Sequence, residues 1–193
     1  MNDLLEWIKQ ADHQVFWWIN IGWGSPFLDA LLPWCRERWL WAPLYLFVIT
    51  FGWSYLGRNK GWLMAIGLVL AVGAADFTSS ALIKKNVKRI RPCNDIELRD
   101  HVRLRIDHCG SGYSFTSSHA ANHFAVAVFL TGFYGRVRRW VAPVLLFWAS
   151  LIALSQVYVG VHFPLDILCG AVVGAFCGWG VYALFSRINI IIP

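Results

Sequence analysis

Long apolar runs separated by short charged clusters set the pattern of this chain. Stretches free of Asp, Glu, Lys and Arg cover residues 39–57, 108–135, 140–165 and 167–186, and residues 61–83 are interrupted only by Asp76. A bilayer core takes about 20 mostly apolar residues per helix. The pattern therefore predicts five spans, near 40–57, 61–83, 119–135, 140–159 and 164–185. The first 35 residues read differently: Asp3, Glu6, Lys9 and Asp12 alternate at helical spacing with Leu4, Leu5, Trp7 and Ile8, ahead of the aromatic run Phe16, Trp17 and Trp18. Such a segment suits an amphipathic helix in the membrane interface. It lacks the basic start, apolar h-region and small-residue cleavage site of a secretory signal. Residues 14–34 are the candidate for an additional crossing. The expected fold is all-α: a polytopic transmembrane helical bundle of five to six spans with an N-terminal amphipathic helix, residues 1–35, in one integral-membrane domain covering 1–193.

Composition agrees with that reading. The chain is 58% hydrophobic and 15% charged, against about 45–50% and about 25% in soluble domains, which excludes a soluble globular or a disordered protein. Trp39, Trp41, Trp53, Trp62 and Trp140 fall near span ends, where aromatic belts form.

Charge gives the spans an orientation. With five spans drawn, one side collects Arg58, Lys60, Arg136, Arg138, Arg139 and Arg187 and no acid, the mark of a cytoplasmic face. The opposite, outer side holds the long segment 84–118, whose eight basic residues are half offset by Asp95, Glu97, Asp100 and Asp107. Cys93 and Cys109 lie near the two ends of that segment, so an oxidising compartment would let them pair. Cys169 and Cys177 sit within a span and read as packing residues.

Polar side chains inside apolar spans are functional candidates. Asp76, Ser80 and Lys84 recur every four residues and share a helix face. Ser117 and Ser118 precede His119, Asn122 and His123 at the start of the third span. A helix N-terminus binds phosphate through its free N–H groups and dipole, although a Ser-Ser pair is also an ordinary cap. Past Ser155 and Gln156, His162 lies two residues before Pro164, with Asp166 one turn inward. A carboxylate so placed can hold one imidazole nitrogen while the other presents a lone pair. By topology all these clusters meet at one membrane face, at the depth of a lipid-borne phosphate.

These residues resemble the type 2 phosphatidic acid phosphatase family of membrane enzymes, related to vanadium haloperoxidases. Lys84 is separated by six residues from Arg91-Pro92; Thr116-Ser117-Ser118-His119 follows; then Ser155-Gln156, five residues, His162, three residues and Asp166. The resemblance implies a lipid phosphatase or diphosphatase without metal or other cofactor, its site at the outer face of a six-helix-type bundle. It implies His162 as nucleophile, Asp166 orienting it, and His119 protonating the leaving oxygen. Lys84, Arg91, Ser117 and the backbone of Ser118 and His119 would hold the phosphoryl oxygens, with Gln156 at the remaining phosphate-binding position. Thr116 and Ser118 replace the family's Pro and Gly. More consequentially, Gln156 replaces an Arg and loses its charge and its fork; Lys88, Arg89, Arg103 and Arg105 are the basic residues at hand to compensate.

The implied partners are a membrane lipid phosphate and the bilayer, with no nucleic acid and no obligate protein partner. Undecaprenyl diphosphate is the first expected substrate, ahead of phosphatidylglycerophosphate, phosphatidic acid and lipid A phosphate. The expected location is a bacterial inner membrane with the site facing the periplasm or exterior. Two other readings are a catalytically inactive relative and an intramembrane proton or ion relay through Asp76, His119, His123 and Asp166. The relay would call for midplane polar groups and internal repeats, and no repeat is visible in the sequence.

Overall fold

A computed structural model describes residues 2–135 and 138–187, which are helical or irregular with no strand among them. The charge expected at Arg136 lies outside the described residues. Helix α1, Asn2–Trp17, runs into a π-helical turn at Trp18–Gly22. After a break at residues 23–25 comes α2, Pro26–Cys35, started by Pro26 and by the Ser25 hydroxyl, which accepts the Leu28 N–H at 3.3 Å. Residues 14–34 therefore do not form one long helix.

Helix α3 covers Ala42–Leu56 and α4 Arg58–Asp76; α4 continues through a π-helical stretch, Phe77–Ile83, into the short α5, Lys84–Val87. After the outer segment come α6, Ser118–Tyr134, α7, Val141–Tyr158, and α8, Pro164–Arg187. Among the described residues, four helical stretches are long and apolar enough to cross a membrane: Trp39–Leu56, Arg58–Val87, Val141–Tyr158 and Pro164–Arg187. Helix α6, at 17 residues, is about 26 Å long at 1.5 Å per residue.

Helix α6 is the centre of the bundle, packed against α4, α7 and α8. Gly170, Gly174 and Gly178 recur every four residues along α8 and face Ser117, Ala121 and Ala125 of α6. A Cβ at Gly174 would run into the Ala121 carbonyl. Lipid offers no hydrophobic force between helices, so close backbone approach through small residues is what holds such a pair. Around that seam Met64, Leu68, Phe129, Leu130, Trp148 and Ile152 form the buried core. Phe47, Val69, Phe147, Phe176 and Trp179 are exposed, as lipid-facing positions would be.

The N-terminal segment is amphipathic as expected, yet it grips the protein with polar groups as well. Phe16, Ile19 and Leu32 form a second cluster with Val157, Tyr158, Val161 and Phe163. Asn20, fully buried, donates to the carbonyls of Arg103 at 3.0 Å and Tyr158 at 2.9 Å and accepts the Arg103 N–H at 2.9 Å. Together these contacts seat α1 and α2 on the junction of α7 and α8.

Cys93 and Cys109 are joined in a disulfide, Cα to Cα 5.9 Å, bracing the outer segment. Cys35, Cys169 and Cys177 are free. Denatured, unreduced protein is expected to take up three thiol labels, read by mass spectrometry, and five after reduction. Five labels before reduction would contradict the bridge.

Candidate active site

Three stretches far apart in sequence converge where α6 begins, α7 ends and α8 begins. The turn between α7 and α8 is closed by the Gln156 carbonyl, which accepts the N–H groups of Val161 at 3.1 Å and His162 at 3.2 Å. Pro164 starts α8, leaving His162 at its mouth, almost wholly buried, with Asp166 one turn further in.

Asp166 is the structural knot of the site. Its backbone carbonyl accepts the Ser117 N–H at 2.9 Å, tying α8 to the start of α6. Its Oδ2 accepts the Phe163 N–H at 2.8 Å and lies 3.4 Å from His162 Nδ1. That last distance is long for a hydrogen bond, and catalytic contacts of this kind commonly tighten only around a substrate. Its Oδ1 accepts Arg89 Nη1 at 3.0 Å.

The other face of the His162 ring settles its tautomer. Arg91 Nη1 lies 3.3 Å from Nε2 and 3.3 Å from the Val161 carbonyl. A guanidinium can only donate, so Nε2 is the acceptor and the ring proton sits on Nδ1, toward Asp166. Burial, against the pull of Asp166, pushes the His162 pKa down from 6.5 to about 4. The ring is neutral at ordinary pH with its lone pair on Nε2. Burial holds Arg91 below the usual guanidinium range against the opposing pull of Asp166, with a smaller push in the same direction from Arg36.

Helix α6 contributes the second histidine. Ser117 caps it, its hydroxyl accepting the Ala120 N–H at 3.4 Å, so this buried hydroxyl is engaged in holding the helix end. The Ser118 hydroxyl meets Ser79 at 3.1 Å and Ser80 at 2.9 Å, and Asn122 donates to Asp76 at 3.2 Å. The π-helical stretch thus brings two successive serines to the same partner, which simple four-residue spacing would not do. His119 lies near the imidazoles of His123 and His162 and the cations Arg36 and Lys84. Its carbonyl lies 2.8 Å from His123 Nδ1, and the His123 ring packs edge-on against Trp148 with centroids 5.1 Å apart. Lys84 lies within reach of the charges of Arg91, Asp76 and Asp166.

His119, His162, Asp166, Lys84 and Arg91 are thereby brought together, as the motif spacing anticipated. Gln156 is fully buried, its Nε2 3.5 Å from the Ser155 hydroxyl and its Oε1 without a partner among the described residues. Asp12 was not among the expected site residues. It is buried in α1, where it accepts Arg89 Nη2 at 2.6 Å and the Leu165 N–H at 2.8 Å. Arg89 also lies over the Phe163 ring, 3.9 Å from its centroid, and His13 stacks on Phe163 at 4.8 Å. In the sequence Asp12 looks like the wet face of an amphipathic helix; no periodicity distinguishes it from Asp3 or Glu6.

Two neutral-capable imidazoles, one oriented by a carboxylate, beside two cations and a helix N-terminus, form a constellation suited to transferring a phosphoryl group.

Known proteins carry the same arrangement of chain. A family model described as the PAP2 superfamily matches residues 60–190. A lipid A 4'-phosphatase of Bacteroides thetaiotaomicron is 29% identical over 191 residues, 96% of this chain and 82% of that protein. The crystal structure of Aquifex aeolicus LpxE superposes with a TM-score of 0.69 at 26% identity, covering 88% of this chain and 93% of that one. A PAP2-type phosphatidylglycerolphosphate phosphatase from Bacillus subtilis shares the fold, TM-score 0.74 at 22% identity, over 94% of this chain and 87% of that one. Because the family match takes in more than half of the chain and every motif residue from Lys84 to Asp166, the protein belongs to the PAP2 superfamily and is a membrane lipid phosphatase of that type.

Proposed function

We propose that this protein hydrolyses a lipid phosphate monoester through a phosphohistidine on His162, without a metal. The observation that carries the reading is the tautomer: Arg91 donates toward Nε2 and Asp166 faces Nδ1. The Nε2 lone pair attacks phosphorus as the bond to the lipid oxygen breaks, and that oxygen takes a proton from His119. Water then attacks the phosphohistidine, giving its proton to His119, and releases phosphate and neutral His162. Lys84, Arg91 and the N-terminal amides of α6 at Ser118 and His119 hold the equatorial oxygens, where charge accumulates. Ser117 serves by capping that helix, and residues 84–118 form the outer wall of the site.

The substrate we favour is the phosphate of a lipid A-type saccharolipid. Lipid A 4'-phosphatases of Bacteroides thetaiotaomicron and Porphyromonas gingivalis align with 96% and 94% of this chain. Undecaprenyl diphosphate is the second reading, supported by an undecaprenyl-diphosphatase of Sulfolobus acidocaldarius at 26% identity over 72% of the chain. A bacterial inner membrane with the site outward is supported by Arg58, Lys60, Arg138 and Arg139 at the opposite end of the bundle and by the disulfide.

The test is phosphate release in detergent from lipid A bisphosphate, undecaprenyl diphosphate, phosphatidylglycerophosphate and phosphatidic acid, with EDTA throughout. Lipid A is expected to be turned over at least about tenfold faster than the others, roughly the discrimination a few contacts supply. Faster release from undecaprenyl diphosphate would move the assignment to the second reading. Activity that appears only when EDTA is left out would overturn the metal-free mechanism.

A further inference from the structure

Gln156 leaves the site one cation short of what its motif spacing calls for, and the four outer-segment bases do not make up the difference. Lys88 is exposed, in a left-handed turn after α5. Arg89 is held between Asp12 and Asp166. Arg103 and Arg105 both pair with Asp29, at 2.8 and 2.5 Å, and Arg105 also donates to the Tyr158 carbonyl at 2.7 Å and covers that ring, which leaves only its Nη2 without a partner among the described residues.

Arg36 is differently placed. It ends α2 one turn beyond Leu32, so the two share a helix face. Leu32 packs with Val157 and Tyr158 at the end of α7, next to Gln156 in sequence, and α2 lies against α7. The Arg36 Nε is buried and finds no hydrogen-bond partner among the described residues. A buried donor on a cation is costly when left unmatched, so its acceptor is expected from outside the chain. Arg36 lines a cavity of about 640 Å³ together with Arg105, His108 and Gly110, and with the carboxylates Glu37 and Asp107. The Gly110 Cβ position would lie 3.7 Å from the Arg91 guanidinium, so this cavity opens beside the site. The charge of Arg36 also reaches Arg91 and His119. Arg91 Nε and Arg105 Nη2 are buried and likewise without a partner among the described residues, so three guanidinium donors around this space call for an anionic acceptor.

We propose that Arg36, delivered from the N-terminal segment, holds the substrate's phosphoryl group in place of the arginine that Gln156 replaces. This rests on the phosphohistidine reading and adds a residue that lies outside all three motifs. It also gives α1 and α2 a direct part in the chemistry: they carry a phosphate-holding cation to the end of α7.

The test compares Arg36→Ala, Arg36→Lys and the double variant Arg36→Ala with Gln156→Arg on lipid A bisphosphate micelles, alongside orthovanadate protection against thermal unfolding, which needs no turnover. Arg36→Ala is expected to lower kcat/KM about 10²-fold, the usual loss for one donor to a developing oxyanion, and to weaken vanadate protection in parallel. Arg36→Lys keeps the charge without the fork and should fall between. Restoring Arg at 156 should recover at least about tenfold, since a guanidinium supplied from either place meets the same oxygens. Wild-type turnover and vanadate protection in Arg36→Ala would overturn the assignment, as would a loss that Gln156→Arg leaves unrecovered. His162→Ala, run beside them, separates the two ideas: activity surviving there defeats the phosphohistidine, whereas its loss with Arg36→Ala unaffected defeats only the role of Arg36.

Discussion

His162→Ala is expected to stop phosphate release, by on the order of 10⁴-fold or more, because removing a covalent nucleophile leaves only binding and electrostatic stabilisation behind. In single-turnover runs with radiolabelled lipid phosphate, the wild type should carry label on protein that survives alkaline quenching and is lost in acid, as a phosphoramidate is. The variant should carry none. Turnover within tenfold of wild type, or undiminished label, would assign the nucleophile elsewhere. The same residue sets a pH dependence. Its imidazole titrates near 4 when folded and near 6.5 when not, so the unfolded chain binds the extra proton between those values. Stability therefore declines as pH falls from about 6.5 toward 4, while His162 imposes no slope above that window. His162→Ala removes that contribution, and unfolding midpoints measured in detergent at pH 5 and pH 7 should lie closer together than in wild type.

Arg89→Ala carries the second large effect, on stability first. The Arg89 side chain bridges Asp12 and Asp166, whose side chains are 1% and 0% exposed. Without it, two buried carboxylates lose their shared counter-charge, and breaking a buried ion pair from one side costs about 3–5 kcal/mol. The loss should appear as a lowered unfolding midpoint in detergent, with reduced turnover because Asp166 is no longer held from its Oδ1 side. Arg89→Lys keeps a charge but not the fork that reaches both acids at once, and should recover part of the stability. An Arg89→Ala protein that unfolds where the wild type does would remove the bridge from any account of how α1 is fastened.

The two variants bear on different parts of the chain, and their contrast shows how far the sequence could be read. The apolar runs foretold α3, α4, α7 and α8 closely, because a helix in lipid must satisfy its own backbone and be apolar over its length; both properties are local. Lys84, Arg91, His119, His162 and Asp166 were likewise visible, through spacing that places them at helix mouths. Pairing of Cys93 with Cys109 followed from their position in one outer segment.

Other features were hidden from any local pattern. Asp12 alternates with apolar residues like its neighbours Asp3 and Glu6, yet it alone is buried against Arg89 and the Leu165 N–H. Asn20, which no sequence pattern singles out, joins the turn after α1 to Arg103 and to the end of α7. Arg89 read as spare positive charge and is committed to two acids.

The sequence by itself determined that the chain folds into long apolar helices and which five ionisable groups lie at helix mouths, since periodicity and spacing act over a few turns of helix. Only the tertiary structure decided that α1 and α2 fold back onto the α7–α8 junction, that the π-helical stretch turns both Ser79 and Ser80 to Ser118, and that Arg36 and Gly110 come to line one cavity. Those outcomes depend on contacts between residues far apart in the chain, where helical period carries no information and burial, charge pairing and close backbone approach choose the partner.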